Sequence, residues 1–173
     1  MPIVTIRIIG AVLILLGCGS YGFTIAANAG KEIYCLRNLI IAIEYMLCDI
    51  AYQSTALPEL FKNASKATKG IINRWLSLCA KVLDNRASPS VSACMNTALE
   101  HYKDMPPKTR KLIEAMGKRM GHFDVDGQAQ MLLSLRREAE QQLKLCEEGH
   151  VVRSRSCKTL AICAGAAIVI LLI

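Results

Sequence analysis

Residues 33–50 read IYCLRNLIIAIEYMLCDI, and the spacing within them decides the fold. Apolar side chains recur as Ile33, Leu36, Leu39/Ile40, Ile43, Met46/Leu47 and Ile50. Steps of three and four place them on one stripe of an α-helix, whereas a half-buried strand alternates with a period of two. The signature continues outward. Ser54-Thr55 offers a cap for a short helix through Leu57, Leu60 and Phe61. Gly70 punctuates the chain, and Ile71, Ile72, Trp75, Leu78/Cys79 and Val82/Leu83 mark the next helix. Ser88-Pro89 reads as a cap followed by a first-turn proline, opening a helix through Val91, Cys94/Met95, Ala98/Leu99 and Tyr102. Met105-Pro106-Pro107 breaks the chain before a stripe of Leu112, Ile113, Met116 and Met120, and a long helix follows from about Asp126. No stretch alternates with strand periodicity. The expected fold is all-α, a bundle of five or six helices within residues 31–158.

The bundle is flanked by two apolar ends. The chain has 173 residues, 53% of them hydrophobic, and of its 35 charged side chains only Arg7 lies outside 31–158. That distribution excludes a disordered chain, a collagen-like chain and a plain cytosolic globule. Residues 8–27 form a run of twenty without a charge. As a helix it spans roughly 30 Å, the thickness of the hydrocarbon core. Residues 159–173 are also uncharged but give only roughly 22 Å, and Arg153, Arg155 and Lys158 just before them can snorkel to head groups. Both are expected to be transmembrane helices. A secretory signal cleaved near Ala27-Asn28-Ala29, or a lipoprotein signal at Leu15-Leu16-Gly17-Cys18, would compete at the first. The apolar run continues nine residues beyond Cys18, which favours an uncleaved anchor. Lys31 and Arg37 follow the first anchor and Arg153, Arg155 and Lys158 precede the second, with only Arg7 beyond them, so the positive-inside rule puts the central domain in the cytoplasm. Eight cysteines without paired spacing fit a reducing compartment.

Several motifs lack the context their chemistry needs. Gly17-Cys18-Gly19-Ser20-Tyr21-Gly22 spells a dinucleotide fingerprint but follows no strand. Cys18, Gly22 and Ala26, every four residues, instead suit a contact face between membrane helices, with Ala161 and Gly165 as a matching pair. Asp124-Val125-Asp126-Gly127 resembles the start of a calcium loop, yet the twelfth ligand would fall on Leu135. Cys146 and His150, even with Cys157, are too few for a metal site, and His101 and His122 have no catalytic partner in sequence. No P-loop, Gly-x-Ser-x-Gly or HExxH occurs. The expectation is no enzyme, no cofactor and no metal. Aromatics at 5% argue against nucleic-acid stacking. Lys62, Lys66 and Lys69, then Lys108, Arg110, Lys111, Lys118 and Arg119, give two basic surfaces. They suit either anionic lipid or an acidic cytoplasmic partner.

One pattern is more informative. Gly117-x-x-Met120-Gly121-x-x-Asp124-x-x-x-Gln128, set before a long helix, resembles the Phe-Gly-x-x-Leu-Gly-x-x-Asp-x-x-x-Gln signature of the stage III sporulation protein AB family. Gly10-Ala11-Val12-Leu13-Ile14, Asp49-Ile50-x-Tyr52, Thr55-x-Leu57-x-Glu59 and the closing Val169-Ile170-Leu171-Leu172 also match in order and spacing. The chain departs at Met116, where the family usually has Phe, at Leu47, where Glu is common, and at Ala56 and Pro58. The resemblance implies a two-pass protein of the mother-cell membrane around the forespore, in a secretion-like channel complex. Its domain would be similar to the cytoplasmic bundle of type II secretion and type IV pilus platform proteins. The implied partners are a cytoplasmic ATPase, stage III sporulation protein AA, and other stage III sporulation membrane proteins, with homo-oligomerisation left open. The Gly117–Gln128 segment is then expected to be a structural corner, and Lys108, Arg110, Lys111, Lys118 and Arg119 a partner-docking patch. The alternative is a membrane-anchored regulatory protein that binds anionic lipid.

Overall fold

The computed structural model describes residues 28–52, 55–85, 90–120 and 127–149. They form six helices, and no strand occurs among the described residues. Two long helices, α1 (28–52) and α6 (127–149), flank four shorter ones. These are α2 (Leu57–Ala67), α3 (Gly70–Asp84), α4 (Val91–Glu100) and α5 (Pro107–Arg119). The chain divides into a central unit, Lys31–Leu145, and a second unit of Met1–Gly30 with Cys146–Ile173. The central unit holds α2 to α5 whole, with most of α1 and α6.

The apolar stripe read from residues 33–50 is the inner face of α1: Leu36, Leu39, Ile43 and Met46 are fully buried. Phe61 and Leu60 of α2, Ile72, Trp75 and Leu76 of α3, Met95 of α4, Ile113 of α5 and Leu132 and Leu135 of α6 join them in the core. Each such side chain contributes roughly 1.5–3 kcal/mol on leaving water. Packing follows chain order, with α2 on α3, α3 on α4 and α4 on α5. The two-residue link Thr68-Lys69 folds α2 and α3 into a helical hairpin. Gly70 opens α3 with φ +67°, a conformation that a Cβ disfavours. A Cβ there would stand 2.8 Å from Tyr34 Cε1 of α1.

The helix starts differ in detail from expectation. Thr55 precedes α2 without capping it: Ala56 is the N-cap, and no side chain bonds there. Ser54 lies outside the described residues. For α4 the cap is Ser90, whose Oγ accepts from Ala93 N at 3.2 Å, rather than Ser88. Serine at either place could serve, and the backbone turns extended at Ser90. Among the described residues no helix is long and apolar enough to cross a membrane. The segments 8–27 and 159–173, and with them Cys18, Gly22, Ala26, Ala161 and Gly165, lie outside the described residues.

Candidate docking site

Helix α5 begins awkwardly. Its N-cap is Pro106, which offers no side-chain acceptor, and its first turn contains no acidic residue. Lys108, Arg110 and Lys111 instead crowd cations onto the positive end of the helix dipole. The missing anion comes from α1. Glu32, 7% exposed, accepts from Thr109 N at 2.9 Å and Thr109 Oγ1 at 2.7 Å through Oε1, and from Lys108 N at 3.3 Å through Oε2. Amides at the start of α5 are thus satisfied by a carboxylate 77 residues earlier in the chain.

A second clamp repeats the device. Lys69, the N-cap of α3, makes no side-chain cap bond. Asn38 of α1 accepts from Lys69 N at 2.8 Å through Oδ1, and its Nδ2 donates to Tyr34 O at 2.9 Å. Helix α1 therefore holds the starts of two other helices. On its outer side Glu44 accepts from Arg136 of α6 at 3.0 Å, and Arg136 also reaches Glu140 at 2.9 Å. These ion pairs are half exposed and add at most about 1 kcal/mol each. Asp49 Oδ2 on α1 and Trp75 Nε1 on α3 are buried without a hydrogen-bond partner among the described residues.

The basic residues of α5 do not all share one face. At about 100° per residue, Lys108, Lys111, Lys118 and Arg119 fall within an arc of about 100°. All four are exposed. Arg110 lies off that arc, half-buried, and its Nε donates to Glu114 Oε1 at 3.2 Å. The opposite face, Thr109, Leu112, Ile113, Met116 and Gly117, is buried. Lys118 and Arg119 also suit the negative end of the helix dipole. The result is a basic stripe roughly 16 Å long on a helix whose inner face is fixed in the core.

In the expected corner, Gly117 is buried, and a Cβ there would meet Met95 Cβ of α4 at 3.5 Å, an ordinary contact. It permits close approach of α5 to α4. Met120 ends α5 in extended conformation, 1% exposed, with its N–H donating to Met116 O at 2.9 Å. Gln128 is half-buried near the start of α6, and Gly121 and Asp124 lie outside the described residues. The corresponding family residues in α1 diverge, with Asp49 inward and Tyr52 87% exposed.

The cysteines of the core are chemically quiet. Burial, and secondarily the nearby Glu32 carboxylate, pushes the Cys35 thiol up to about 11. Burial likewise raises Cys79 and Cys94, and Cys94 Sγ donates to Cys79 O at 3.4 Å. Among the described residues no group of three His, Cys, Asp or Glu side chains could hold a metal ion.

A helical bundle with an exposed basic stripe and a buried polar clamp places the chain in the all-α class of folds. The profile of the stage III sporulation protein AB family (Spore_III_AB) matches residues 7–173, and the chain belongs to that family. A solved structure of stage III sporulation protein AB (SpoIIIAB) is similar in fold, with a TM-score of 0.63 at 17% identity. The likeness covers 70% of this chain and 97% of that one. No curated protein matches.

Proposed function

We propose that this chain is a non-enzymatic platform subunit of the secretion-like complex between mother cell and forespore, and that the basic stripe of α5 docks a cytoplasmic ATPase. Membership of the family supplies the sporulation context. The observation that carries the docking reading is the exposed set Lys108, Lys111, Lys118 and Arg119 on a helix anchored by Glu32. A surface that receives a motor must transmit force without deforming, and burial of α5's opposite face with a long-range cap from α1 supplies that stiffness. Complementary charge there governs association rate and partner choice more than fold. The apolar runs 8–27 and 159–173 anchor the domain in the mother-cell membrane, two-pass, with the bundle cytoplasmic.

Two measurements test this reading. A cytoplasm-active reporter inserted within residues 85–88 should be bright, and one fused after Ile173 dark; the reverse pattern contradicts the topology. Tagged full-length chain, solubilised from sporulating cells, should copurify with the stage III sporulation protein AA ATPase. Its absence from the eluate, with anionic vesicles bound through the same lysines, favours the lipid-binding alternative.

A further inference from the structure

A second basic feature lies on α3, and the α5 residues take no part in it. Asn73, Arg74, Ser77, Leu78 and Lys81, with Tyr102 from the α4–α5 connection, line a groove of about 240 Å³. The five α3 residues fall within an arc of about 140° on the side away from Ile72, Trp75, Leu76 and Cys79. The latter four are fully buried, so the groove is the solvent side of a fixed helix. It is smaller than the usual pockets for cofactors and drug-sized molecules, of about 300–1,000 Å³. It has room for a side chain or two.

Its polar groups point to the occupant. Arg74 and Lys81 are exposed, and neither forms an ion pair among the described residues. Asp84, one turn past Lys81, forms no ion pair with it among the described residues. Asn73 is held in place, its Nδ2 donating to Ser65 O at 2.6 Å. Arg74 and Lys81 are seven residues apart, so they lie almost in line along the helix, roughly 10 Å apart. Two carboxylates two turns apart on a partner helix match that separation, because a seven-residue spacing repeats the same roughly 10 Å on one face. Between the two cations the half-buried Leu78 and Tyr102 offer an apolar surface to a residue midway along such a helix.

We propose that this groove binds an acidic amphipathic helix of a partner protein, with a carboxylate on Arg74, a second on Lys81 and an apolar side chain against Leu78 and Tyr102. Arginine takes the first carboxylate as a two-pronged hydrogen-bonding fork, and lysine the second as a point charge. The site does not depend on the ATPase reading of α5.

The test uses the full chain in uncharged detergent micelles and a fluorescein-labelled helical peptide with Glu at positions i and i+7 and Leu at i+4. Its anisotropy should rise saturably, and salt should weaken binding. Arg74→Ala should raise Kd roughly tenfold and Lys81→Ala roughly threefold, as expected for losing charge-assisted contacts. Replacing both peptide glutamates by Gln, or moving them to i and i+5, should cost a similar factor. Unchanged Trp75 fluorescence in each variant confirms that the bundle is intact. Equal peptide binding by wild type and the Arg74→Ala, Lys81→Ala double variant overturns the proposal. So does a double variant that loses only its affinity for phosphatidylglycerol vesicles, which would make the groove a lipid contact.

Discussion

Replacing Glu32, whose one carboxylate joins the start of α1 to the start of α5, should unfold the bundle at much lower denaturant. Glu32→Ala removes the acceptor for Thr109 N, Thr109 Oγ1 and Lys108 N, and strands buried donors at the start of α5. A hydrogen bond to a charged group is worth roughly 1.5–3 kcal/mol net, and loss of an N-cap roughly 1–2 kcal/mol. The contacts share one carboxylate, so they do not add fully, and about 3–4 kcal/mol is the expected total. That is a large part of the roughly 5–15 kcal/mol that holds a domain of ordinary stability. Glu32→Gln keeps one acceptor oxygen but loses the charge that answers the helix dipole, so it should cost about 1–2 kcal/mol. Trp75 is the single tryptophan and is fully buried, so its fluorescence reports this unit in the intact chain. In a urea titration of detergent-solubilised protein, Glu32→Ala should lower the midpoint by about 2 M, with Gln between it and wild type. Equal midpoints for all three proteins would refute the cap of α5 by Glu32.

Other expectations follow from single positions. Gly70→Ala should cost about 1–2 kcal/mol by calorimetry, since φ +67° strains any Cβ; Tyr34→Ala in the same chain should recover only the part due to crowding. Gly117→Ala should be neutral or stabilising by up to about 1 kcal/mol, whereas Gly117→Val should destabilise by about 1–3 kcal/mol against Met95; equal melting points would remove the argument for close approach. Iodoacetamide at neutral pH, mapped by mass spectrometry, should label exposed Cys48 well before Cys35, Cys79 and Cys94. The Cys35 thiol is raised from 9.0 to about 11 on folding, so above pH 9 the unfolded chain loses its proton first. Stability should therefore fall from pH 9 to 11, and Cys35→Ala should flatten part of that fall.

The helices were legible because their apolar spacing is strong. Leu36, Leu39, Ile43 and Met46 of α1 and Trp75 of α3 are all fully buried, as their stripes imply. The polar clamp was harder to see. Glu32, Asn38 and Asp49 sit on the inner face of α1: Glu32 is four residues from Leu36, Asn38 three and four from Cys35 and Ala42, and Asp49 three from Met46. That register was a usable signal for their burial, but their distant partners depend on how α1 crosses the bundle. The basic patch was partly legible. Composition collected the cations, while helical phase sets Arg110 apart from Lys108, Lys111, Lys118 and Arg119 and gives it to Glu114. The start of α4 at Ser90 rather than Ser88 shows the limit of cap signals when serines lie two residues apart.

The docking claim meets its most direct test in the affinity of the ATPase for the full chain in lipid nanodiscs, measured from low to high salt. We expect binding to weaken steeply with salt, and the Lys111→Glu, Lys118→Glu, Arg119→Glu variant to lose most of its affinity at low salt while Trp75 fluorescence stays native. A variant that binds the ATPase as tightly as wild type across the salt range would contradict the account.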